Sequence, residues 1–256
     1  MNSAHRQAEY SIRFEWGLSG AQAVAPGCEL AVVVDILSFT TTLSVALDAG
    51  ITVLPFRVRG DKAAAYAAEA DATLAFGRSV ARGDQISLSS STIRDRTEHP
   101  ARLVLPSPNG STISYELAGS ATTVVGASVR NARAVASWIC TTYPQGTKVA
   151  VIAAGEQWPD GSLRPAIEDL WGAGAVLSAM TRSAWLPMFS PEAEAASAAW
   201  NSVELDFAAR LEHCASGREL IDDGYPRDVA IAAELNTSAV VPVLQGRRFV
   251  PATKND

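Results

Sequence analysis

The chain has 256 residues, of which 48% are hydrophobic and 19% charged, which is enough to bury the core of one large domain. Its formal net charge of −6 leaves no excess of basic residues, and this argues against a nucleic-acid partner or an anionic membrane surface. Small molecules are the expected ligands, and an anionic one would need positive charge confined to its site or imported as a metal ion.

The three cysteines, Cys28, Cys140 and Cys214, are far apart in the sequence and form no Cys-x-x-Cys pair. Neither a disulfide framework nor a zinc site is therefore expected. No apolar run approaches the roughly 20 residues of a membrane span, and the N-terminal segment lacks the apolar region of a signal peptide. We therefore expect a cytoplasmic protein.

Strands and helices alternate along most of the chain. Short apolar runs predict strands at residues 10–16, 29–37, 51–56, 73–77, 103–105, 122–126, 148–154 and 240–243. Apolar residues at helical spacing predict helices at 43–49, 61–70, 109–117, 131–141, 166–181, 191–211 and 228–233. Residues 17–26 and 215–218 are expected to be linkers, and the polar stretch 78–100 a loop over the site. This alternation predicts an α/β fold with a largely parallel sheet.

The corner between the strand at 103–105 and the helix that follows is a candidate anion site. Asn109, Gly110, Ser111 and Thr112 open that helix after a Pro-rich turn. Backbone N–H groups at such a corner, with the helix dipole behind them, can hold a phosphate. The same residue types also favour a helix cap and turn with no ligand. The local sequence leaves both interpretations open.

Several carboxylates follow the predicted strands. Asp35 ends the first strongly apolar strand, Glu156 follows the strand at 148–154, and Glu168 and Asp169 open the next long helix. In parallel α/β sheets ligands collect outside the carboxyl ends of the strands, so we expect these groups to lie at one edge. Carboxylate, carbonyl and water oxygens are the ligands that Mg²⁺ prefers, and this set is a plausible site for it.

Each of these residues also has a structural explanation. Glu168 and Asp169 would complement the dipole in the first turn of a helix. Thr40 and Thr41 are suited equally to capping a helix and to donating hydroxyl hydrogen bonds to a ligand. A functional role is favoured for Asp35, because burying a carboxylate beside three valines costs free energy unless the carboxylate is solvated or paired.

Motifs of several common enzyme classes are missing. The sequence has no G-x-G-x-x-G after a strand, no G-x-x-x-x-G-K-[ST] and no G-x-S-x-G. Dinucleotide binding, nucleoside triphosphate hydrolysis and the hydrolase nucleophile elbow are therefore disfavoured. The anion corner and the carboxylates remain as the features that point to chemistry.

A longer series of residues, spread from about residue 29 to 249, occurs in an order that resembles the 2-phosphosulfolactate phosphatase family. The series consists of Val32-Val33-Val34-Asp35-Ile36-Leu37, Thr40-Thr41-Thr42, Pro108-Asn109-Gly110-Ser111, Asn131, Ala154-Gly155, Glu168-Asp169, Ala173-Gly174-Ala175, Ser216-Gly217-Arg218-Glu219-Leu220, Gly224-Tyr225 and Asp228-Val229. No single motif is specific, but their order and spacing together are.

This resemblance implies a Mg²⁺-dependent phosphohydrolase of coenzyme M biosynthesis with a three-layer α/β/α fold and a largely parallel or mixed sheet. We expect one domain over residues 1–256, with 185–256 as a C-terminal sub-domain or final layer, and a homodimer is one expected assembly. The expected catalytic residues are Asp35, Glu156 and Asn109. The expected substrate-binding residues are Thr40, Thr41, Asn109, Gly110, Ser111, Asn131 and Arg218. The expected Mg²⁺ ligands are Asp35, Glu168 and Asp169.

The chain also departs from this family. Relatives tend to carry Arg where Ser38 stands, Gly-Glu-Arg where residues 77–79 read Gly-Arg-Ser, and Asn-Ser-Pro where residues 89–91 are serines. The loss of a guanidinium at Ser38 removes a fork suited to a sulfonate or carboxylate. The residues expected to bind phosphate therefore match the family better than those expected to determine which substrate is bound. A non-catalytic binder of a small anionic metabolite on the same scaffold is the alternative.

Overall fold

The computed structural model describes residues 3–118, 122–182 and 188–253. The strands are β1 (Ile12–Trp16), β2 (Leu30–Val34), β3 (Thr52–Phe56), β4 (Thr73–Leu74), β5 (Arg102–Pro106), β6 (Thr123–Ala127), β7 (Val149–Ala153), β8 (Glu156–Gln157), β9 (Leu163–Arg164), β10 (Pro242–Gln245) and β11 (Arg248–Pro251). The helices are α1 (Gly17–Val24), α2 (Phe39–Asp48), α3 (Asp61–Glu69), α4 (Ser91–Arg94), α5 (Gly110–Leu117), α6 (Ala132–Thr142), α7 (Ile167–Thr181), α8 (Pro191–Asn201), α9 (Phe207–His213), α10 (Ala215–Asp222) and α11 (Pro226–Ala232), preceded by a 3₁₀ turn at Ser3–Arg6.

Within the described residues, nine strands form one mixed sheet in the order β1-β7-β2-β6-β10-β11-β3-β5-β4. The strands β1, β7, β2 and β6 are parallel, and so are β3, β5 and β4. The antiparallel hairpin β10–β11 lies between these two parallel groups. It pairs with them at Val243 beside Val125 and at Phe249 beside Val53. The C-terminal hairpin therefore joins the two halves of the sheet.

Both faces of the sheet are covered, which confirms the three-layer α/β/α fold. All five residues of β2 and of β7 are buried, as expected for strands that read as continuous apolar runs. Alternate residues of β2 enter opposite cores: Leu30 and Val32 pack into one apolar cluster, and Ala31 and Val33 into the other. No helix in the described stretches has the length and apolar character needed to cross a membrane.

Several expectations from the sequence are corrected. Residues 17–26, expected to be a linker, contain α1, whose small residues pack against the sheet with Ala21 and Val24 fully buried. The stretch 215–218 opens α10 and is not a joint, because the Cys214 Sγ accepts a hydrogen bond from the Gly217 N–H and caps the helix. The helix expected at 191–211 is two helices, α8 and α9.

Close contact between α7 and α8 depends on a glycine. A Cβ atom at Gly174 would lie 2.1 Å from the carbonyl oxygen of Ala196 and 2.7 Å from the Cβ of Trp200. These distances are too short for any side chain, so the two helices could not remain at their present separation. Small residues on α7 therefore set how closely α8 covers this side of the sheet.

We predict that Gly174→Ala lowers the free energy of unfolding by about 2 kcal/mol. At an exposed helical position the same change would stabilise the protein by roughly 0.5–1 kcal/mol, so the sign is diagnostic. Urea denaturation measures the difference. Ala198→Gly on the exposed face of α8 reports helix propensity alone, with an expected loss of about 1 kcal/mol. A Gly174→Ala variant at least as stable as the wild type would contradict the packing described.

Candidate active site

Three strand ends from both halves of the sheet meet at one cavity. Asp35 follows β2, Asn109 follows β5 and Glu156 follows β7, and all three line a cavity of about 100 Å³. Four strands separate β2 from β5, which in a flat sheet would place them roughly 24 Å apart. The Gly110 N–H nevertheless donates to the Asp35 Oδ2 at 2.8 Å. The sheet therefore curves until its two halves converge at their carboxyl ends.

The Asp35 carboxylate holds this junction. Its Oδ1 accepts from the Phe39 N–H at 3.1 Å and its Oδ2 from the Gly110 N–H at 2.8 Å, so it joins the first turns of α2 and α5. The Thr40 hydroxyl braces the same turn through the backbone N–H and carbonyl of Asp35. A Cβ at Gly110 would lie 2.8 Å from the Asp35 Oδ2 and 2.7 Å from the Phe39 ring. Only glycine permits this approach.

Asp169 makes a second junction of the same kind. Its Oδ1 accepts from the Ile36 N–H at 2.7 Å and its Oδ2 from the Gly155 N–H at 2.8 Å. The first residue follows β2 and the second follows β7, so this buried carboxylate ties two neighbouring strand ends together. Gly155 has a φ of +67°, a conformation that favours glycine.

The acidic groups at this edge repel one another. Burial raises the pKa of Asp35, the nearby charge of Glu168 adds to this, and two backbone N–H groups and Arg78 oppose it. Burial, followed by the charges of Asp35 and Glu168, raises the pKa of Asp169 well above its ordinary value. Several carboxyl groups therefore share one edge with little positive charge to offset them.

Glu156 is the acid that borders the open space. It lines the 100 Å³ cavity and two neighbours of about 250 and 480 Å³. The Asn109 Nδ2 donates to its Oε2 at 2.8 Å. Burial and the charge of Asp35 raise the pKa of Glu156 to about 7, whereas the Asn109 bond and Arg164 oppose the shift. Glu156 can therefore accept or release a proton near neutral pH.

The first turn of α5 presents donors to an anion. The Gly110 N–H is used by Asp35, and the Ser111 Oγ lies within hydrogen-bond distance of the backbone of Phe56 and Leu105. The N–H groups of Ser111 and Thr112 have no acceptor in the part of the chain that the structure describes. Thr112 borders the cavity of about 250 Å³, so its N–H group, with the helix dipole, remains available at the corner. Ser111 is fully buried and lines none of the three cavities.

The structure does not assemble the three-carboxylate Mg²⁺ cage expected from the sequence. Among residues 3–118, 122–182 and 188–253, no three His, Cys, Asp or Glu side chains are arranged to hold a metal ion together. Asp35 lines the cavity, whereas Glu168 and Asp169 are buried away from it, Glu168 beside the thiol of Cys214 at 3.5 Å. Mg²⁺ commonly uses one or two carboxylates with water and a substrate phosphate, and Asp35 with its acidic surroundings fits that mode.

Other residues expected to bind substrate lie elsewhere. Asn131 is buried, with its Oδ1 accepting from the Ser128 N–H and its Nδ2 donating to the Val240 carbonyl, which ties the end of β6 to the C-terminal segment. Arg218 is exposed on α10 and lines none of the cavities described above. Thr41 is also absent from their linings, and its buried hydroxyl has no hydrogen-bond partner within the described chain.

Two arginines that the sequence analysis did not assign to the site border it. Arg59 and Arg78 both line the cavities of about 100 and 480 Å³. Arg78 and Leu88 belong to the stretch 78–100, so this stretch borders the cavities, but it contains the short helix α4 and is not entirely a loop. In the sequence, Arg78 is notable only because residues 77–79 differ from the Gly-Glu-Arg of related proteins. Arg59 follows a strand without any motif, so no local pattern singles it out.

Comparison with known proteins identifies relatives over most of the chain. Residues 21–247 match the family model described as 2-phosphosulpholactate phosphatase. A protein of a Cyanothece species, named probable 2-phosphosulfolactate phosphatase, is 29% identical over 226 residues, which are 85% of this chain and 89% of that protein. A protein of Carboxydothermus hydrogenoformans with the same name is 27% identical over 228 residues, covering 87% of this chain and 90% of that protein.

We predict that Glu156→Gln stabilises the metal-free protein at pH 8 by about 2 kcal/mol, less than the full pKa shift implies because the side chain is partly exposed. Because the pKa of Glu156 is higher in the folded protein than in the unfolded chain, its protonation favours the folded state at low pH. This contribution to stability is lost as the pH rises through about 7. The two proteins should therefore be nearly equal at pH 4.5, where Glu156 is protonated. Urea denaturation at both pH values measures the difference.

Glu192→Gln on the exposed first turn of α8 is the control for this measurement. Because its carboxylate is solvated, the variant should show no pH-dependent gain over the wild type. Equal stability of the wild type and Glu156→Gln at pH 8 would contradict the raised pKa of Glu156.

Proposed function

Because the chain belongs to the 2-phosphosulpholactate phosphatase family, we propose that it is a Mg²⁺-dependent phosphatase of small phosphorylated 2-hydroxy acids such as 2-phosphosulfolactate. Both relatives reported above carry the name of probable 2-phosphosulfolactate phosphatases. The observation that carries the proposal for this chain is the hydrogen bond from Asn109 to Glu156. It holds an acid with a pKa of about 7 against the anion corner of α5.

The N–H group of Thr112 would bind a phosphate oxygen. It lies in the first turn of α5 and borders a cavity, and the dipole of the helix favours negative charge there. Donors held rigidly by the fold stabilise the charge that develops on these oxygens during transfer without having to reorganise. The strands beneath the corner hold it in place through the Ser111 hydroxyl.

Glu156 would orient and deprotonate the attacking water. Its Oε2 is held by Asn109, and its place at the border of three cavities leaves the carboxylate accessible to water. A base is most effective when its pKa lies near the working pH, and Glu156 meets that condition. Such a base contributes roughly 10²–10⁴-fold to the rate.

Asp35 would hold Mg²⁺ at the cavity, and the neighbouring charge of Glu168 would favour its binding. Mg²⁺ supplies positive charge that polarises the phosphate. Each oxygen of Asp35 already accepts one backbone N–H and keeps a further lone pair for a ligand. The same two bonds fix the carboxylate in place.

One contact in the structure disfavours the alternative function, a non-catalytic binder of an anion. That alternative rests on the serine at position 38 and on the absence of a glutamate in residues 77–79. The Arg78 Nη2 donates to the Ser38 Oγ at 2.6 Å. A guanidinium therefore does reach position 38, although it comes from a different part of the chain.

We predict that the purified protein with Mg²⁺ releases phosphate from 2-phosphosulfolactate or 2-phospholactate. Glu156→Gln should lower kcat by about 100-fold or more, because it removes the base and preserves the shape of the side chain. Phosphate release in steady state measures this, and Glu192→Gln on the far helix α8 is the control. A substrate that stabilises the protein but is not hydrolysed under any Mg²⁺ condition would favour the binder instead.

We also predict that Mg²⁺ stabilises the protein in the absence of substrate. At about ten times its Kd, Mg²⁺ should raise Tm by about 3 °C at pH 8. Asp35→Asn should abolish this increase relative to its own metal-free Tm, whereas Glu192→Gln should retain it. Sodium chloride at matched ionic strength separates binding from charge screening. An equal Mg²⁺ effect in Asp35→Asn would contradict the role of Asp35.

A further inference from the structure

Two cavities adjoin at the candidate site. The smaller, of about 100 Å³, contains Asp35 and Asn109, and the larger, of about 480 Å³, extends towards α10. Both are lined by five shared residues, Leu37, Arg59, Arg78, Leu88 and Glu156. The cavity of about 250 Å³, which Thr112 borders, shares Asn109 and Glu156 with the smaller one. A ligand whose phosphate lies beside Asn109 and Glu156 at the first turn of α5 therefore has the two arginines beside its remaining atoms.

Arg78 is held in a fixed orientation by the protein. Its Nε donates to the Oδ2 of Asp228 at 3.1 Å, its Nη2 donates to the Ser38 Oγ at 2.6 Å, and its guanidinium carbon lies 5.7 Å from the centre of the Tyr225 ring. Asp228 is itself buried and fixed by the Ser89 hydroxyl at 2.6 Å and the Ser91 N–H at 3.1 Å. Ser89 and Ser91 therefore help to position Arg78 through Asp228.

The guanidinium of Arg78 still has donors to offer. Of its five N–H groups, the described residues take one on Nε and one on Nη2, and none on Nη1. The side chain is 18% exposed, and that exposed part borders both cavities. A fork of this kind matches the two oxygens of a carboxylate or sulfonate.

Arg59 adds a second cation with no competing partner. It is exposed after β3 and lines both cavities. Its neighbour Arg57 pairs with Glu116 at 2.8 Å, but Arg59 makes no ion pair or side-chain hydrogen bond with any described residue. Its charge is therefore available to a ligand.

We propose that Arg78, supported by Arg59, selects substrates that carry a second anionic group, a carboxylate or sulfonate, close to the phosphorylated carbon. This inference rests on the proposed phosphatase function. Glu219 and Asp223 line the far part of the larger cavity and would repel an anion that extended further. The site therefore selects short molecules whose second anion remains next to Arg78.

The test compares two esters that differ only in that group. 2-Phospholactate and isopropyl phosphate are both phosphate esters of a secondary alcohol, and a carboxylate in the first replaces a methyl in the second. The wild type should favour 2-phospholactate by about 100-fold in kcat/KM. Arg78→Met should reduce this preference about tenfold or more and leave kcat/KM for isopropyl phosphate within about threefold.

Further variants distinguish the effect of the positive charge from that of the guanidinium geometry and from a failure to fold. Arg78→Lys should retain only part of the preference because lysine keeps the charge without the fork. Arg59→Met should also reduce the preference. This variant leaves no buried carboxylate without a partner, so it tests the proposal even if Arg78→Met folds poorly. Arg57→Met, an exposed neighbour that lines none of these cavities, should leave the preference unchanged.

Two results would overturn the proposal: no preference in the wild type, or an equal loss for both esters in Arg78→Met and in Arg59→Met. If neither ester is hydrolysed, the proposed phosphatase function fails, and calorimetric binding of the same two compounds decides the role of Arg78. Tighter binding of 2-phospholactate that is lost in Arg78→Met would then support the anion site. Equal binding of the two compounds would refute it.

Discussion

The carboxylate of Asp35 joins the two halves of this molecule. One half contains β2 and the other β5, and in the sheet a hairpin and two further strands lie between them. Asp35 spans that division by accepting the N–H groups of Phe39 and Gly110. This contact places the start of α2, the start of α5 and the cavity between them in one geometry, and every proposed role at the site depends on it.

The sequence predicted the alternation of strands and helices because buried parallel strands such as β2 and β7 read as unbroken apolar runs. It also predicted that the carboxylates of Asp35 and Glu156 lie at one edge of the sheet. It did not predict α1 or α10, which are only eight residues long and rich in small and polar residues. Arg59 and Arg78 were missed as site residues because only the curved sheet and the packed loop bring them to the cavity.

Charge is distributed unevenly across the site. At the end proposed to hold phosphate, burial and neighbouring acidic groups raise the pKa values of Asp35, Glu156 and Asp169, whereas the two arginines border the space beside it. An acidic protein of net charge −6 could bind an anion in this way, because the two arginines place positive charge at the cavities where the ligand is proposed to lie. The acidic end would rely on a divalent cation, and the basic end on fixed side chains.

The central claim is that the first turn of α5, facing Asp35 and Glu156, is the phosphate site of a metal-assisted reaction. A crystal structure with Mg²⁺ and inorganic phosphate tests it most directly. We expect a phosphate oxygen within hydrogen-bond distance of the Thr112 N–H, and Mg²⁺ bound to Asp35. Phosphate held only by Arg59 and Arg78, with water at the start of α5 and no metal at Asp35, would contradict the account.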